Sequence, residues 1–146
     1  MSPTRIPSQP EFLIQLRRTQ HAVRTRVDAD LAPTGLTTPQ YTVLAALERE
    51  AGLSASDLAR ELGMTAQTVN VLVKGLERGG LIRRSSHPTH GRILLTGLTA
   101  TGRQALTRGR ALALGVQERL LDGLSAPARA TLIRRLRAIE QASAEG

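Results

Sequence analysis

Between Thr65 and Lys74 the chain runs Thr65-Ala66-Gln67-Thr68-Val69-Asn70-Val71-Leu72-Val73-Lys74, with amides, hydroxyls and an ammonium recurring at helical spacing. If Val69, Leu72, Val73 and Leu76 face a core, steps of about 100° per residue turn Gln67, Asn70, Val71 and Lys74 outward, with Thr68 at the edge. Such a face has the chemistry of base-edge recognition. Gln and Asn bond adenine edges bidentately, Thr and Val methyls pack on thymine methyls, and Lys reaches guanine or phosphate. A merely solvated helix face is the alternative, and spacing alone leaves it open. Charge narrows the choice: from Met64 to Arg110 eight cations, among them Lys74, Arg84 and Arg92, stand against Glu77 alone, a net +7 of the chain's +8.

Other chemistry is poorly supplied. There is no cysteine, hence no disulfide framework, thiolate zinc site, catalytic thiol or thiol redox sensor. His87-x-x-His90 has permissive metal-ligand spacing, but Pro88 and the turn around it offer no third ligand, and His21 is remote in sequence. No metal is expected. Serines, histidines and acids occur without a nucleophile elbow, a phosphate loop or a carboxylate pair, so neither an enzyme nor a cofactor is expected.

The chain has 146 residues, 40% of them hydrophobic, with 20 Lys plus Arg against 12 Asp plus Glu and a sequence pI near 11.6. At this length roughly two-thirds of the unfolded surface can be buried, enough for a core without staples. The basic balance points to an acidic partner, nucleic acid ahead of an anionic membrane. One Phe and one Tyr are the only aromatics, which disfavours single-strand binding by base stacking and favours a duplex. No apolar run is long enough to span a membrane, and the first ten residues lack a secretory h-region. A cytoplasmic protein is expected.

The elements that would position these residues are legible as a series of helices. Residues 1–10, with Pro3, Pro7 and Pro10, read as a flexible arm. An amphipathic helix follows from Glu11 to about Leu31, with Phe12, Leu13, Leu16, Val23 and Val27 on one face. Thr38-Pro39 is expected to open a second helix to about Glu50, and Ser54 or Ser56 a third to about Leu62. Thr65 caps the fourth, which Gly79-Gly80 closes. The strands of a hairpin are expected at 81–86 and 92–95 around His87-Pro88-Thr89-His90-Gly91. Thr99 then caps a fifth helix with Leu106, Ala113, Val116 and Leu120 inward, and Ser125 a sixth through Leu132, Ile133, Leu136 and Ile139. The fold class is mainly α: six helices plus a two-stranded β-hairpin.

Ala59, Gly63 and Val69 have helix-turn-helix spacing. The small Ala59 lets two helices approach, Gly63 takes the turn, and Leu58, Leu62, Val69 and Leu72 fill the angle between them. A basic helix followed at once by a basic hairpin is a winged helix, with the helix in the major groove and the wing near the minor groove.

Gly35-Leu36-Thr37-Thr38-Pro39-Gln40-Tyr41, the helix-turn-helix, Leu76-Glu77-Arg78-Gly79-Gly80-Leu81-Ile82-Arg83-Arg84 and Leu98-Thr99-Ala100-Thr101-Gly102-Arg103, in this order, resemble the MarR family of bacterial transcription regulators. The resemblance covers about residues 11–142. It implies a homodimer, with 11–35 and 100–146 as dimerisation helices and 36–99 as a winged helix-turn-helix DNA-binding domain. It further implies a transcriptional repressor on a pseudo-palindromic operator, released by a small, aromatic-acid-like ligand in a crevice near Arg17, His21 and Tyr41, Arg17 pairing with its carboxylate. Thr65, Gln67, Thr68, Asn70, Val71, Lys74, Arg84, His90 and Arg92 are the expected DNA-binding residues. Arg92 takes the place of the family's minor-groove arginine, but His90 stands where the family has the acid that braces it. Protonation of His87 and His90 at falling pH is expected to add charge to the tip and tighten binding. The rival expectations are a sequence-indifferent architectural DNA binder using the same basic surface, and a winged helix that meets an acidic protein.

Overall fold

In the computed structural model, which describes residues 9–145, six helices and a small antiparallel sheet follow in the order α1 (Glu11–Leu31), α2 (Thr38–Arg49), β1 (Leu53–Ser54), α3 (Ala55–Leu62), α4 (Ala66–Arg78), β2 (Ile82–Ser86), β3 (Leu94–Leu98), α5 (Ala100–Leu120) and α6 (Ala126–Ala144). The mainly α class and the helix series expected from the sequence are present. Of the expected arm, residues 1–8 lie outside the described residues. The chain divides into two compact units, Met1–Ala113 and Leu114–Gly146, with the boundary inside α5. Among the described residues no helix is long and apolar enough to cross a membrane.

The caps explain most boundaries. Thr37, rather than Thr38, caps α2: its hydroxyl accepts from the Gln40 N–H, while the Gln40 side chain accepts from the Thr37 N–H. This reciprocal box satisfies two orphan donors, which a cap at Thr38 would leave without Gln40 at the third helical position. Thr38 is used elsewhere. Its N–H and hydroxyl each donate to Asp28 Oδ1 at 2.6 Å, tying the last turns of α1 to the start of α2. Ser54, one of the two expected candidates, caps α3 in a box with Asp57. At Gly80, φ is 72°, and the N–H groups of Gly80 and Leu81 donate to the carbonyls of Glu77 and Leu76. This is a Schellman closure, which requires a left-handed residue and therefore favours glycine.

The Thr38 bonds hold the Asp28 carboxyl below the usual carboxylate range, burial opposing them and Arg24 assisting. A depressed native pKa stabilises the fold above the unfolded value and loses that contribution as pH falls through the native one. The thermal-midpoint deficit of Asp28→Asn against wild type, present at neutral pH, is therefore expected to shrink on acidification below about pH 4. A deficit constant from pH 6 to pH 3 would contradict this assignment.

The first unit's core lies where α2, α3, α4 and the start of α5 meet. Val43, Leu44, Leu58, Val69, Val73, Leu76 and Leu106 are fully buried or nearly so. The sheet differs from the expected hairpin in two ways. A third strand is present, giving the order β1-β3-β2, and the last strand lies two to three residues later than expected, at Leu94–Leu98. Pairing explains both. β3 is bonded along both edges, Leu53 and Arg84 both lying opposite Thr96, and the hydroxyl of the buried Thr96 donates to the Leu53 carbonyl. The turn at the tip is correspondingly longer, 87–93.

The start of α5 is seated on the end of the α4 closure. Thr99 N–H donates to the Leu81 carbonyl at 3.1 Å, its hydroxyl donates to the Gly80 carbonyl at 2.6 Å, and the same hydroxyl accepts from Gly102 N–H at 3.0 Å. Gly102 is buried. In the second unit Val116 is buried as expected, whereas Leu120 is 51% exposed and α6 has no buried residue. On α1, every residue from Glu11 to Arg26 is exposed, the apolar stripe included. Leu31 is the residue this helix buries, and Phe12, Leu13, Leu16 and Val23 of the apolar face are 37–59% exposed.

Candidate nucleic-acid interface

Thr65 caps α4 through its hydroxyl, which accepts from Thr68 N–H at 3.1 Å. The side chains of Thr65 and Thr68 also bond each other at 2.9 Å, so both polar groups at the helix entrance are held in place. Val69, Val73 and Leu76 are buried, and this fixes the rotation of the helix. Gln67, Asn70, Val71 and Lys74 then face solvent, Val71 at 66%. Val71 thereby places two exposed methyl groups within an amide-bearing face, the side chain that packs on a thymine methyl in base-edge recognition. α3 packs beside α4 with Gly63 between them at φ 62°, the left-handed turn that glycine accommodates at least cost.

The wing is clamped to this helix. Arg84 forks onto Glu77, Nε to Oε2 at 3.0 Å and Nη2 to Oε1 at 2.8 Å. The guanidinium holds the Glu77 carboxyl below the usual carboxylate range, and the carboxylate raises the Arg84 pKa in turn. Of the expected DNA-binding residues, Arg84 thus has its donors directed at Glu77 and a side chain only 22% exposed. Sequence spacing gave no sign of this pair, because a helix end and a strand separate its members. Past Arg84, the turn carries His90 and Arg92, both exposed.

An open groove of about 660 Å³ is lined by Asn70 of α4, Ser54 and Asp57 at the start of α3, and Arg84, His87 and Arg92 of the wing. The structure therefore brings Asn70 of the helix and Arg92 of the wing to one concave surface. Its single acid, Asp57, is already engaged by the Ser54 N–H and hydroxyl and by Arg60; these bonds, Ser54's first, lower its pKa. The two tip histidines are not equivalent. His90 is exposed, whereas His87 is half-buried and its Nδ1 accepts backbone N–H bonds from Thr89 and His90, each at 3.1 Å.

The three residues expected around a small ligand are not gathered by a single chain. Arg17 and His21 line one shallow surface of α1 together with Ile14, Arg18 and Gln20. Tyr41 is elsewhere, packed against the core, its ring 3.1 Å from where a Cβ on Gly109 would stand. Among the described residues no group of three or more acids or histidines is arranged to hold a metal ion.

Known proteins share this arrangement. A profile of the MarR family matches residues 34–93. The HTH-type transcriptional repressor Rv2887 of Mycobacterium tuberculosis is 37% identical over 112 residues, 77% of this chain and 81% of that protein. The solved structure of Rv2887 with salicylic acid superposes with a TM-score of 0.71 at 33% identity, covering 91% of this chain and 97% of that one. The repressor CouR of Rhodococcus jostii RHA1, solved on a 23-mer DNA duplex, superposes at 0.82 with 29% identity, covering 86% and 89%. With the helix-turn-helix, the wing and the Thr-x-x-Gly turn that opens α5 all in place, the chain belongs to the MarR family of transcription regulators.

Proposed function

We propose that this protein is a repressor that binds duplex DNA sequence-specifically as a homodimer. The observation that carries this reading is the pairing of an outward amide and ammonium face on α4 with Arg92 on the same groove as Asn70. Gln67, Asn70 and Lys74 contact base edges, Thr65 and Thr68 contact phosphate or thymine, Val71 packs on a thymine methyl, and His90 and Arg92 approach the minor groove. Arg84 acts through its fork with Glu77, setting the angle between reading helix and wing. The DNA-bound state of CouR supports this use of the surface.

Residues 11–35 and 100–146 form the dimerisation layer and 36–99 the DNA-binding domain. Support for the second copy comes from α1 and α6 themselves. An isolated helix in water gains little from propensity and needs a packed face, yet Phe12, Leu13 and Leu16 are 41–59% exposed and Leu132, Ile133 and Leu136 are 37–43% exposed. A two-fold dimer sets two reading helices one helical turn, about 10 base pairs, apart. Release by a small aromatic acid is the matching regulatory reading, with Arg17, His21 and Tyr41 contributing once two chains meet. It is supported by the salicylic-acid complex of Rv2887.

Selection from a randomised duplex pool at about 150 mM salt, where nonspecific contacts are already weakened, tests the proposal. An inverted repeat with half-sites one turn apart is expected. Salt-sensitive binding without an enriched sequence would replace it with the architectural reading, and no binding to any duplex would favour an acidic protein partner.

A further inference from the structure

The wing's tip has no carboxylate of its own, since no acid occurs between Glu77 and Glu118. Strand pairing stops at Ser86 opposite Leu94, so the turn that carries Arg92 is held by what lies inside it. Two backbone bonds close it: His87 N–H to the Ile93 carbonyl at 2.9 Å and Ile93 N–H to the His90 carbonyl at 2.8 Å. Two further donors of the turn, the N–H groups of Thr89 and His90, both point at one atom, Nδ1 of His87, at 3.1 Å each. The Thr89 hydroxyl lies 3.2 Å from the same nitrogen.

We propose that His87 is a positioning residue of the wing, its Nδ1 lone pair organising the 87–93 turn and thereby the placement of Arg92, and that only neutral His87 can do this. The chemistry is that of a single acceptor. A neutral imidazole with its proton on Nε2 offers a lone pair at Nδ1; an imidazolium carries N–H at both nitrogens and has none. Protonation would turn a donor toward two donors. It would also place a charge 5.1 Å, centroid to centroid, from the His90 ring and in the groove shared with Arg84 and Arg92. The groove's one acid, Asp57 at the start of α3, is bonded to Ser54 and Arg60 and does not offset it. Acidification therefore loosens the turn, opposite in sign to the effect of charging the exposed His90.

The DNA-related part of this inference rests on the reading given under Proposed function; the turn itself does not. Asn is the informative substitution, because its Oδ1 stands where Nδ1 stands and accepts at every pH, whereas Ala removes the acceptor. Nitrogen-15 NMR of the free protein is expected to find His87 protonated on Nε2 at about pH 8, with Thr89 and His90 amides exchanging several-fold more slowly than in His87→Ala. That protection is expected to weaken on acidification in wild type and to persist in His87→Asn. On the selected inverted-repeat duplex, His87→Ala is expected to bind about tenfold more weakly at pH 8, and His87→Asn within about twofold of wild type. Wild-type affinity is expected to fall more steeply on acidification than that of His87→Asn. A proton on Nδ1, or equal amide exchange in wild type and His87→Ala, overturns the latch. If the amide pattern holds while wild type and His87→Asn share one pH profile on DNA, the role in positioning Arg92 is overturned. If the amide pattern holds and no duplex binds, the latch stands and the DNA reading fails.

Discussion

Gly102→Ala is expected to destabilise the fold by about 3 kcal/mol, the upper end of what inserting one carbon into a packed interior costs. A Cβ at this position would stand 1.9 Å from the Leu81 carbonyl oxygen and 2.9 Å from its carbon. The obstacle is backbone, which cannot swing aside as a side chain does. That carbonyl is already fixed by accepting from Thr99 N–H, and Thr99 is fixed by Gly80 and Gly102 in turn. Relief requires lifting the first turn of α5 off the α4 closure, with loss of all three bonds. Gly75→Ala supplies the contrast: it lies within α4 with nothing within 4 Å of the added carbon, and should stabilise by about 0.5–1 kcal/mol. Urea unfolding of both variants checks the pair. A midpoint for Gly102→Ala equal to wild type would mean that α5 does not start against Leu81.

The second large effect concerns binding. Lys74→Ala and Arg92→Ala are each expected to weaken operator binding by about 1–3 kcal/mol, roughly five- to 150-fold. One lies on the exposed face of α4 and the other on the exposed turn of the wing. Neither has a described ion-pair partner within the chain, unlike Arg84, so each enters the complex without first giving up an intramolecular bond. The two should differ in kind. If Lys74 meets a base, its loss relaxes specificity at one position; if it meets phosphate, affinity falls evenly across sequences and the salt slope drops by about one. Titrations of the double and single variants at several salt concentrations measure both quantities. Unchanged affinity in both single variants would remove α4 and the wing tip from the interface.

Glu77→Gln should behave differently from either. It leaves the reading face and the tip untouched but releases one end of the Arg84 fork, so any loss of affinity would arise from the helix–wing angle rather than from a lost DNA contact.

The helices were legible because their signals are local. Caps at Ser54, Thr65 and Ser125, the 3.6-residue apolar period and the glycine closures all act within one or two turns, and the structure has each of them. The outward face of α4 was legible for the same reason, since Val69, Val73 and Leu76 fix the rotation of a regular helix. Shared order of motifs carried the family, because the spacing from the helix-turn-helix to Gly102 reflects how these elements must dock.

What the sequence left open depended on partners distant in the chain. Thr37 caps α2 in its box with Gln40, while the N–H and hydroxyl of Thr38, the expected cap, both reach back ten residues to Asp28. The third strand exists because Leu53 lies against Thr96, and two residues at a helix start show no alternation from which to predict a strand. Arg84 reads from the sequence as a DNA-binding cation, whereas the fold sets Glu77 across from it and engages its guanidinium. His87 looked like a source of charge until the chain turned two of its own N–H groups onto Nδ1, making the neutral ring the one that fits. A sequence lists donors and acceptors, but only the tertiary fold decides which of them are already bonded to the protein and which remain free to meet a ligand.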